Sequence, residues 1–589
     1  MTRLFRSALI LKLLLEDPFL AEGPYQRFLH ACSFPNPLFD PEFMPNITDF
    51  LREKTLFVTG TTGFVGKGVI VQILRHAPDV RRIYLPTRPR TLSSGTVVSV
   101  EERFRKEVVD SSVFDGLREK WGDAFEDRIQ AKLHAVEWKG LTYANLGMDP
   151  AVISKLQDEV EVVISSAATV VFDEPIDLAL EQNTLGAGRV LDFAKGCRDA
   201  VFVHLSTAYV NGQMTGSIPE RAFEPNETIA KRMSDGRAPR YDLDEEIEAI
   251  QALGRSVRQD AESSERRAVF ERVLELQNRG KRVTEHRLAH QLDALKQRWI
   301  WKQLVEEGFL RGQRHGWHDS YTMTKAMGEQ LIVRERGDLP TAIVRPSIIE
   351  SSLRDPEPGW LDGLKVADPL IAHFSKGRLS DFPADPNVVL DVIPVDVVAN
   401  ATLSILPHLH EEKEVKIYHV ATGSRNPIRL GVMFDYVYEY YRDNPEVDRE
   451  GRAISVRRWR FPSQGAFRRG LKVRYQLPLA FGRWVLKHLP ASHRTSRWSR
   501  RLTRIEATIE RVLSLSQIYG PYTTLNCLFE TGNIQHIYDE LGDDDKDRFN
   551  TDVSRIDWRE YIQEIHIPGL RRHVLKYGDP ELEPTQPQA

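Results

Sequence analysis

The sequence predicts a doubly wound α/β fold, a Rossmann-type parallel sheet with a substrate-closing region, followed by a smaller, mainly helical C-terminal domain. Three observations carry this prediction. A glycine-rich turn sits between a short apolar strand and an apolar-periodic helix, apolar runs alternate with helical patterns beyond it, and the composition turns basic near residue 452. At 589 residues the chain is too long for one minimal domain.

Residues 1–50 read as a leader rich in Pro, Phe and Asn. Its opening, MTRLFRSALILKLLL, is expected to be an amphipathic helix packing on the body or resting on a membrane surface. The apolar run is too short to span a bilayer, contains Lys12, and leads to EDPF rather than a small-residue cleavage site. The large domain is expected over 51–451. From Lys54 the strand LFV enters the turn, and the helix VIVQIL and strand IYL complete a βαβ unit. VEVVIS, AVFVHLS and TAIVRP read as further strands, separated by the helical patterns NTLGAGRVLDFAKG and YTMTKAMGEQLIVRE. VVLDVIPV and KIYHV supply two more. Between 213 and 315 a highly charged stretch interrupts the rhythm and reads as an insertion of two or three surface helices. Residues 452–578 form the C-terminal domain and 579–589 a tail.

The formal net charge of −4 gives no reason to expect a nucleic-acid partner. Cys32, Cys197 and Cys527 are widely separated, without the spacing of a zinc site or the density of a disulfide framework. No metal site is expected, and a reducing, cytoplasmic setting fits best.

The turn TGTTGFVG places Gly60, Gly63 and Gly66, together with Thr62, Phe64 and Val65, between a strand and a helix N-terminus. Missing side chains let the backbone approach a pyrophosphate, and the helix offers N–H groups and positive dipole. The same pattern also suits a tight turn without a ligand; its position in a βαβ unit favours a dinucleotide. After the second strand stand Pro86, Thr87, Arg88, Pro89 and Arg90, two cations and no acid, which favours a 2′-phosphate and hence NADPH. Arg88 is the preferred contact, with Arg90 a solvated loop residue. Ser166, Ala167 and Ala168 are small enough to let the cofactor lie on the sheet edge, although close packing explains them nearly as well. Pro346, at the end of TAIVRP, completes the expected cofactor site.

Tyr321 and Lys325 form YxxxK, one helical turn apart on one face. Carbonyl reduction needs a proton donor that is neutral near pH 7, and a phenol of ordinary pKa about 10 becomes suitable beside an ammonium. Lys325 supplies that charge and is positioned to hold the cofactor ribose. HLSTAYVNG offers Ser206 and Thr207 as the hydroxyl partner. Thr207 is chosen, because relative to the closing NG it stands where extended short-chain reductases keep their catalytic Ser or Thr; Ser206 is expected to brace the strand. Asn183 reads equally as a member of a water relay or a helix cap.

TGTTGFVGK, SSAATVVF, STAYVNG, YTMTKAMGEQL, IVRPSIIESSL, PGWLDG, DVIPVDVVAN and IDWREYI are similar, in this order, to the fatty acyl-CoA reductases, especially the single-chain bacterial ones. The resemblance runs from about residue 50 to 575, and VRPSIIES with PGW, and DWxxY with FETGN upstream, are its most specific parts. It implies a long-chain acyl-CoA substrate reduced through the aldehyde to the primary alcohol by NADPH. Alternatives are a reductase that stops at the aldehyde or takes acyl-carrier protein, and a non-catalytic NADP-binding scaffold. The third strand ends in HAVEW, where the family pattern has a Gly-acid pair contacting adenine.

Arg452 to Ile505 contains no Asp or Glu. It interleaves Trp459, Phe461, Phe467, Tyr475, Leu477, Phe481, Trp484, Leu486 and Leu489 with Arg457, Arg458, Arg460, Arg468, Arg469, Arg483 and Lys487. Such a mixture suits peripheral contact with a membrane interface. It equally suits aromatics packed into the domain, with the cations paired to the acidic insertion or to CoA phosphates.

Overall fold

The computed structural model describes residues 46–91, 95–234, 237–278, 283–448, 450–488 and 493–575. The expectations for the leader before residue 46, for Cys32, for Leu489 and for the tail lie outside these residues.

Seven strands form one parallel sheet. In chain order they are β1 (Thr55–Thr59), β2 (Arg82–Thr87), β3 (Leu133–Glu137), β4 (Val162–Ser165), β5 (Val201–Leu205), β6 (Thr341–Pro346) and β7 (Lys416–Val420). Their spatial order is β7-β6-β5-β4-β1-β2-β3, every pair parallel. The central strands β1, β4, β5 and β6 are buried along their whole length, as expected for a sheet covered on both faces. Leu56 and Val58 point into the core layer built with α1 (Phe64–His76) and α4 (Val395–Ser404). Phe57, between them, points the other way, toward α2 (Gly186–Lys195) and α3 (Ser320–Glu335). It meets Phe193 at 4.4 Å between ring centres. The strand order reverses between β1 and β4, and the loops leaving these strands diverge there to open a crevice.

Two sequence expectations change. VVLDVIPV contributes no strand to the main sheet; only Val392–Pro394 is extended, and it pairs with Ile348–Glu350 in a separate two-stranded ladder. Asp391 explains part of this, since its carboxylate accepts hydrogen bonds from the backbone of Thr422 and Gly423 and ties the run to the end of β7. Among the described residues the charged insertion forms three long helices, Leu243–Glu262, Ser264–Asn278 and Glu285–Arg314, after the short helix Ile229–Met233. They are not purely superficial, because Leu243, Ile250 and Leu304 are fully buried. The stretch also holds the strand Gly216–Ile218, which pairs in parallel with Cys527–Phe529 from the C-terminal region.

That C-terminal region is mainly helical, and its longest elements are α5 (Leu477–His488) and α6 (His493–Tyr519). Its aromatics divide into two groups. Trp459 stacks on Phe374 at 4.6 Å and touches Phe434, and Phe467 is buried near Phe382. Tyr475, Phe481, Trp484 and Trp498 are exposed, as is the aliphatic Leu477 beside them. Arg458, Arg460 and Arg483 pair with Asp435, Asp381 and Glu506, none of which belongs to the insertion. No helix among the described residues is long and apolar enough to cross a membrane.

Candidate active site

A cleft of about 1350 Å³ opens at the carboxyl ends of the strands. One end is built around the glycine turn. Gly60 has φ +77°, and a side chain there would stand 2.8 Å from the backbone of Ser166 and Ala167. A Cβ at Gly66 would lie 2.4 Å from the Gly60 carbonyl oxygen, so α1 begins flush against the turn. Gly63 caps α1 without a side-chain hydrogen bond, which leaves the first N–H groups of the helix facing the cleft. Thr59 accepts hydrogen bonds from the backbone of both Ser166 and Ala167 at 3.0 Å, holding the loop after β4 beside the turn. Thr62, Phe64, Val65, Ala168 and Pro346 also line the cleft. A bare backbone concavity over a helix N-terminus, with side chains excluded by contact, fits a dinucleotide pyrophosphate.

Beyond the end of β2, Arg88 lines the cleft and Arg90 does not. Arg90 lies in a short β-ladder and pairs with Glu107 at 3.8 Å, so it is not a free loop residue. Arg103 also lines the cleft; it donates to the Arg88 carbonyl and forks onto Glu107. Sequence reasoning missed Arg103, whose role depends on a fold that returns a helix to the end of β2. It also missed Trp138, which lines the cleft where HAVEW departs from the Gly-acid pattern. Its position directly after β3 was the available signal.

Tyr321 and Thr207 meet at the middle of the cleft. Asp319 caps α3 by accepting a hydrogen bond from the Thr322 backbone, which starts the helix immediately before Tyr321. Thr207 accepts from the Tyr209 backbone at 3.3 Å, and its hydroxyl also faces the Tyr321 phenol. Burial pushes that phenol above its ordinary pKa, more than Thr207 draws it down. Acidification by Lys325 is not what the geometry gives, because the Lys325 ammonium donates to the Leu205 carbonyl at 2.8 Å. Burial in turn pushes Lys325 down to about 8, against the opposing charge of Glu329. The result is a firmly neutral O–H donor beside a second hydroxyl.

Ser206 lines the cleft as well; its backbone N–H donates to Val344 on β6, and its buried hydroxyl has no hydrogen-bond partner among the described residues. Asn183 is no helix cap. It lies inside the helical run Leu180–Leu185, accepts from the Thr169 backbone and donates to Thr324, so it ties the loop after β4 to α3. The remaining wall is aromatic. Phe172 meets Tyr321, Tyr519 and Tyr522 edge-on at 5.2–5.9 Å. Tyr522 donates to Asp319 at 2.5 Å, linking the C-terminal region to the start of α3. Cys197 and Cys527 are buried thiols that burial pushes up to about 12, poor nucleophiles both.

A family profile described as "Male sterility protein", NAD-binding, matches residues 58–402, and a second of the same description matches 484–577. The chain is 33% identical to "Fatty acyl-CoA reductase 2, chloroplastic" of Arabidopsis thaliana, over 90% of this chain and 80% of that protein. The chain belongs to the fatty acyl-CoA reductase family. "Fatty acyl-CoA reductase 1" of the same plant is 32% identical, over 90% of this reductase and 99% of its own length. "Alcohol-forming fatty acyl-CoA reductase" of Simmondsia chinensis is 29% identical, over 91% and 100%.

The depressed pKa of Lys325 gives this reductase a testable pH dependence. Its ammonium is charged below about 8 and is lost as pH rises through that value. With Lys325 turned to a bound cofactor's ribose, affinity for the reduced dinucleotide, measured by fluorescence titration, is expected to fall about tenfold across that window as a charge-assisted contact is lost. In Lys325→Arg, whose guanidinium stays charged, the affinity is expected to remain flat over the same range.

Proposed function

We propose that this protein reduces long-chain fatty acyl-CoA to the primary fatty alcohol through the aldehyde, with two equivalents of NADPH. The observation that carries the proposal is the Thr207–Tyr321 pair facing the same cleft as the glycine cradle. The aromatic wall of Phe172, Tyr519 and Tyr522 suits an apolar acyl chain, and the family relatives named above reduce acyl-CoA by name.

NADPH, when bound on the backbone of Gly60, Thr62, Gly63, Phe64, Val65 and Gly66, supplies hydride to the acyl carbonyl and, renewed, to the aldehyde. The hydroxyls of Thr207 and Tyr321 donate to the oxyanion of the hemithioacetal, which collapses to aldehyde and CoA thiolate. In the second cycle the phenol of Tyr321 gives its proton to the alkoxide. Lys325 turns from the Leu205 carbonyl to hold the ribose and to offset the charge left on the phenolate. A cysteine acyl-enzyme is unnecessary, in keeping with two buried, protonated thiols.

Palmitoyl-CoA and NADPH are expected to give hexadecanol at a two-to-one cofactor stoichiometry; aldehyde as sole product at one NADPH would show a reductase that stops early. Tyr321→Phe is expected to lower turnover about a thousandfold with cofactor affinity little changed. A near-normal rate would mean that another group delivers the proton.

Specificity for NADPH rests on Arg88 at the cleft and on the absence of an acid at the end of β2. Arg88→Ala is expected to weaken NADPH by about 1.5–3 kcal/mol and to leave NADH unaffected, because only the former has a 2′-phosphate. An equal loss for both would reassign the residue.

Exposed Tyr475, Leu477, Phe481, Trp484 and Trp498, in a segment without acids from 452 to 505, also suit peripheral contact with an anionic membrane. Long acyl chains and their alcohols partition there, so docking would shorten their transfer. Co-sedimentation with anionic liposomes at low salt, reversed at high salt, is the expected result. Equal binding to neutral vesicles, or none, would exclude electrostatic docking.

A further inference from the structure

Away from the reactive hydroxyls, three side chains from distant parts of the chain converge in the dry interior. Glu350 ends the strand Ile348–Glu350, Asp368 opens the helix Asp368–Ser375, and His566 comes from the last helical segment. They are 1%, 0% and 1% exposed, and one ligand atom of each lies within 4.8 Å of the other two.

Each has a second polar atom already committed to the protein. Glu350 Oε1 accepts from the Ala367 backbone, and Asp368 Oδ2 accepts from the Lys365 backbone at 2.6 Å. His566 Nδ1 lies 3.0 Å from Ser351 Oγ, which lies 3.2 Å from the Tyr561 hydroxyl, and that hydroxyl donates to the Ser351 carbonyl at 2.7 Å. With the Tyr561 proton on the carbonyl, Ser351 Oγ is free to donate to Tyr561 and to receive the Nδ1 proton of His566. In that arrangement the neutral imidazole carries its lone pair on Nε2.

The atoms left over are Glu350 Oε2, Asp368 Oδ1 and His566 Nε2. All three are buried and without a hydrogen-bond partner among the described residues. Nε2 and Oδ1 stand 3.1 Å apart, an ion pair whenever the imidazole is protonated. Three lone pairs facing one point in a low dielectric repel unless a proton or a metal cation lies among them, and one proton would serve only two of the three. We propose that Glu350, Asp368 and His566 bind a single divalent cation of the zinc class.

Two carboxylates and one imidazole match the charge and donor type of such an ion. A tetrahedral centre with bonds of about 2.0–2.2 Å sets its ligand atoms about 3.4 Å apart, close to the Nε2–Oδ1 spacing. The Ser351–Tyr561 chain orients the imidazole from behind, as outer partners do at metal centres. The ion would staple the C-terminal segment carrying His566 to the wall of the cleft, where Lys365, Val366 and Pro369 flank Asp368.

The test is elemental analysis of the full-length protein, purified without a polyhistidine tag or chelator. About one zinc-class ion per chain is expected, retained through gel filtration. It should be lost in Asp368→Asn and His566→Gln, with NADPH affinity by fluorescence reporting that the variants are folded. If a variant fails to fold, the wild-type protein decides. Dialysis against a chelator should lower its melting temperature by several degrees and added Zn²⁺ should restore it. Metal-free protein whose melting temperature neither a chelator nor Zn²⁺ changes would overturn the proposal and leave a shared proton in the gap.

Discussion

Behind the cleft a guanidinium and a carboxylate meet out of contact with water. Arg345 on β6 and Glu329 on α3 are 2% and 0% exposed and join through several hydrogen bonds, the shortest 2.5 Å. Arg345 also donates to the Arg221 carbonyl and covers the ring of Phe223. A buried pair of this kind adds little net stability, but removing one partner costs about 3–5 kcal/mol, because the other charge is stranded. The pair therefore fixes how α3 lies along the sheet. Tyr321 and Lys325 stand on that helix, so the positions of phenol and ammonium depend on it. Glu329 lies one turn beyond Lys325, and its charge opposes the burial that pulls the lysine pKa down.

The cleft is assembled by exclusion at one end and by addition at the other. At the glycine turn, a Cβ would stand 2.4–2.8 Å from neighbouring backbone, so backbone N–H groups face the cleft. At the other end the C-terminal region supplies what the sheet lacks. Cys527–Phe529 pairs with Gly216–Ile218, and Tyr522 reaches Asp319 at the cap of α3. The main sheet and C-terminal region thus share one site, which accounts for the aromatic wall opposite Tyr321.

The parallel sheet, the glycine turn and the Tyr321–Lys325 pair were legible in the sequence because each rests on local periodicity or local steric need. Continuous apolar runs mark strands buried on both faces, and a residue spacing of four puts two side chains on one helix face. The strand assigned to VVLDVIPV shows the limit of that logic. Its apolar run looks like a core strand, yet Asp391 binds the end of β7 and only Val392–Pro394 extends, in a separate ladder. Asn183 shows another, since its amide is spent on Thr169 and Thr324, partners that no local pattern points to.

Local chemistry in the chain determined the fold class, the glycine turn and the placing of Tyr321 and Lys325 on one helix face. Tertiary structure alone decided their environment: the phenol raised by burial, the ammonium held on Leu205, Arg103 and Trp138 brought to the cleft, and Tyr522 to the cap of α3. It also brought Glu350, Asp368 and His566 together across more than 200 residues of chain. The physical reason is range. Strand and helix preferences act over a few residues and are written in the spacing of side chains. Desolvation and charge pairing depend on whichever residues the packed core makes neighbours.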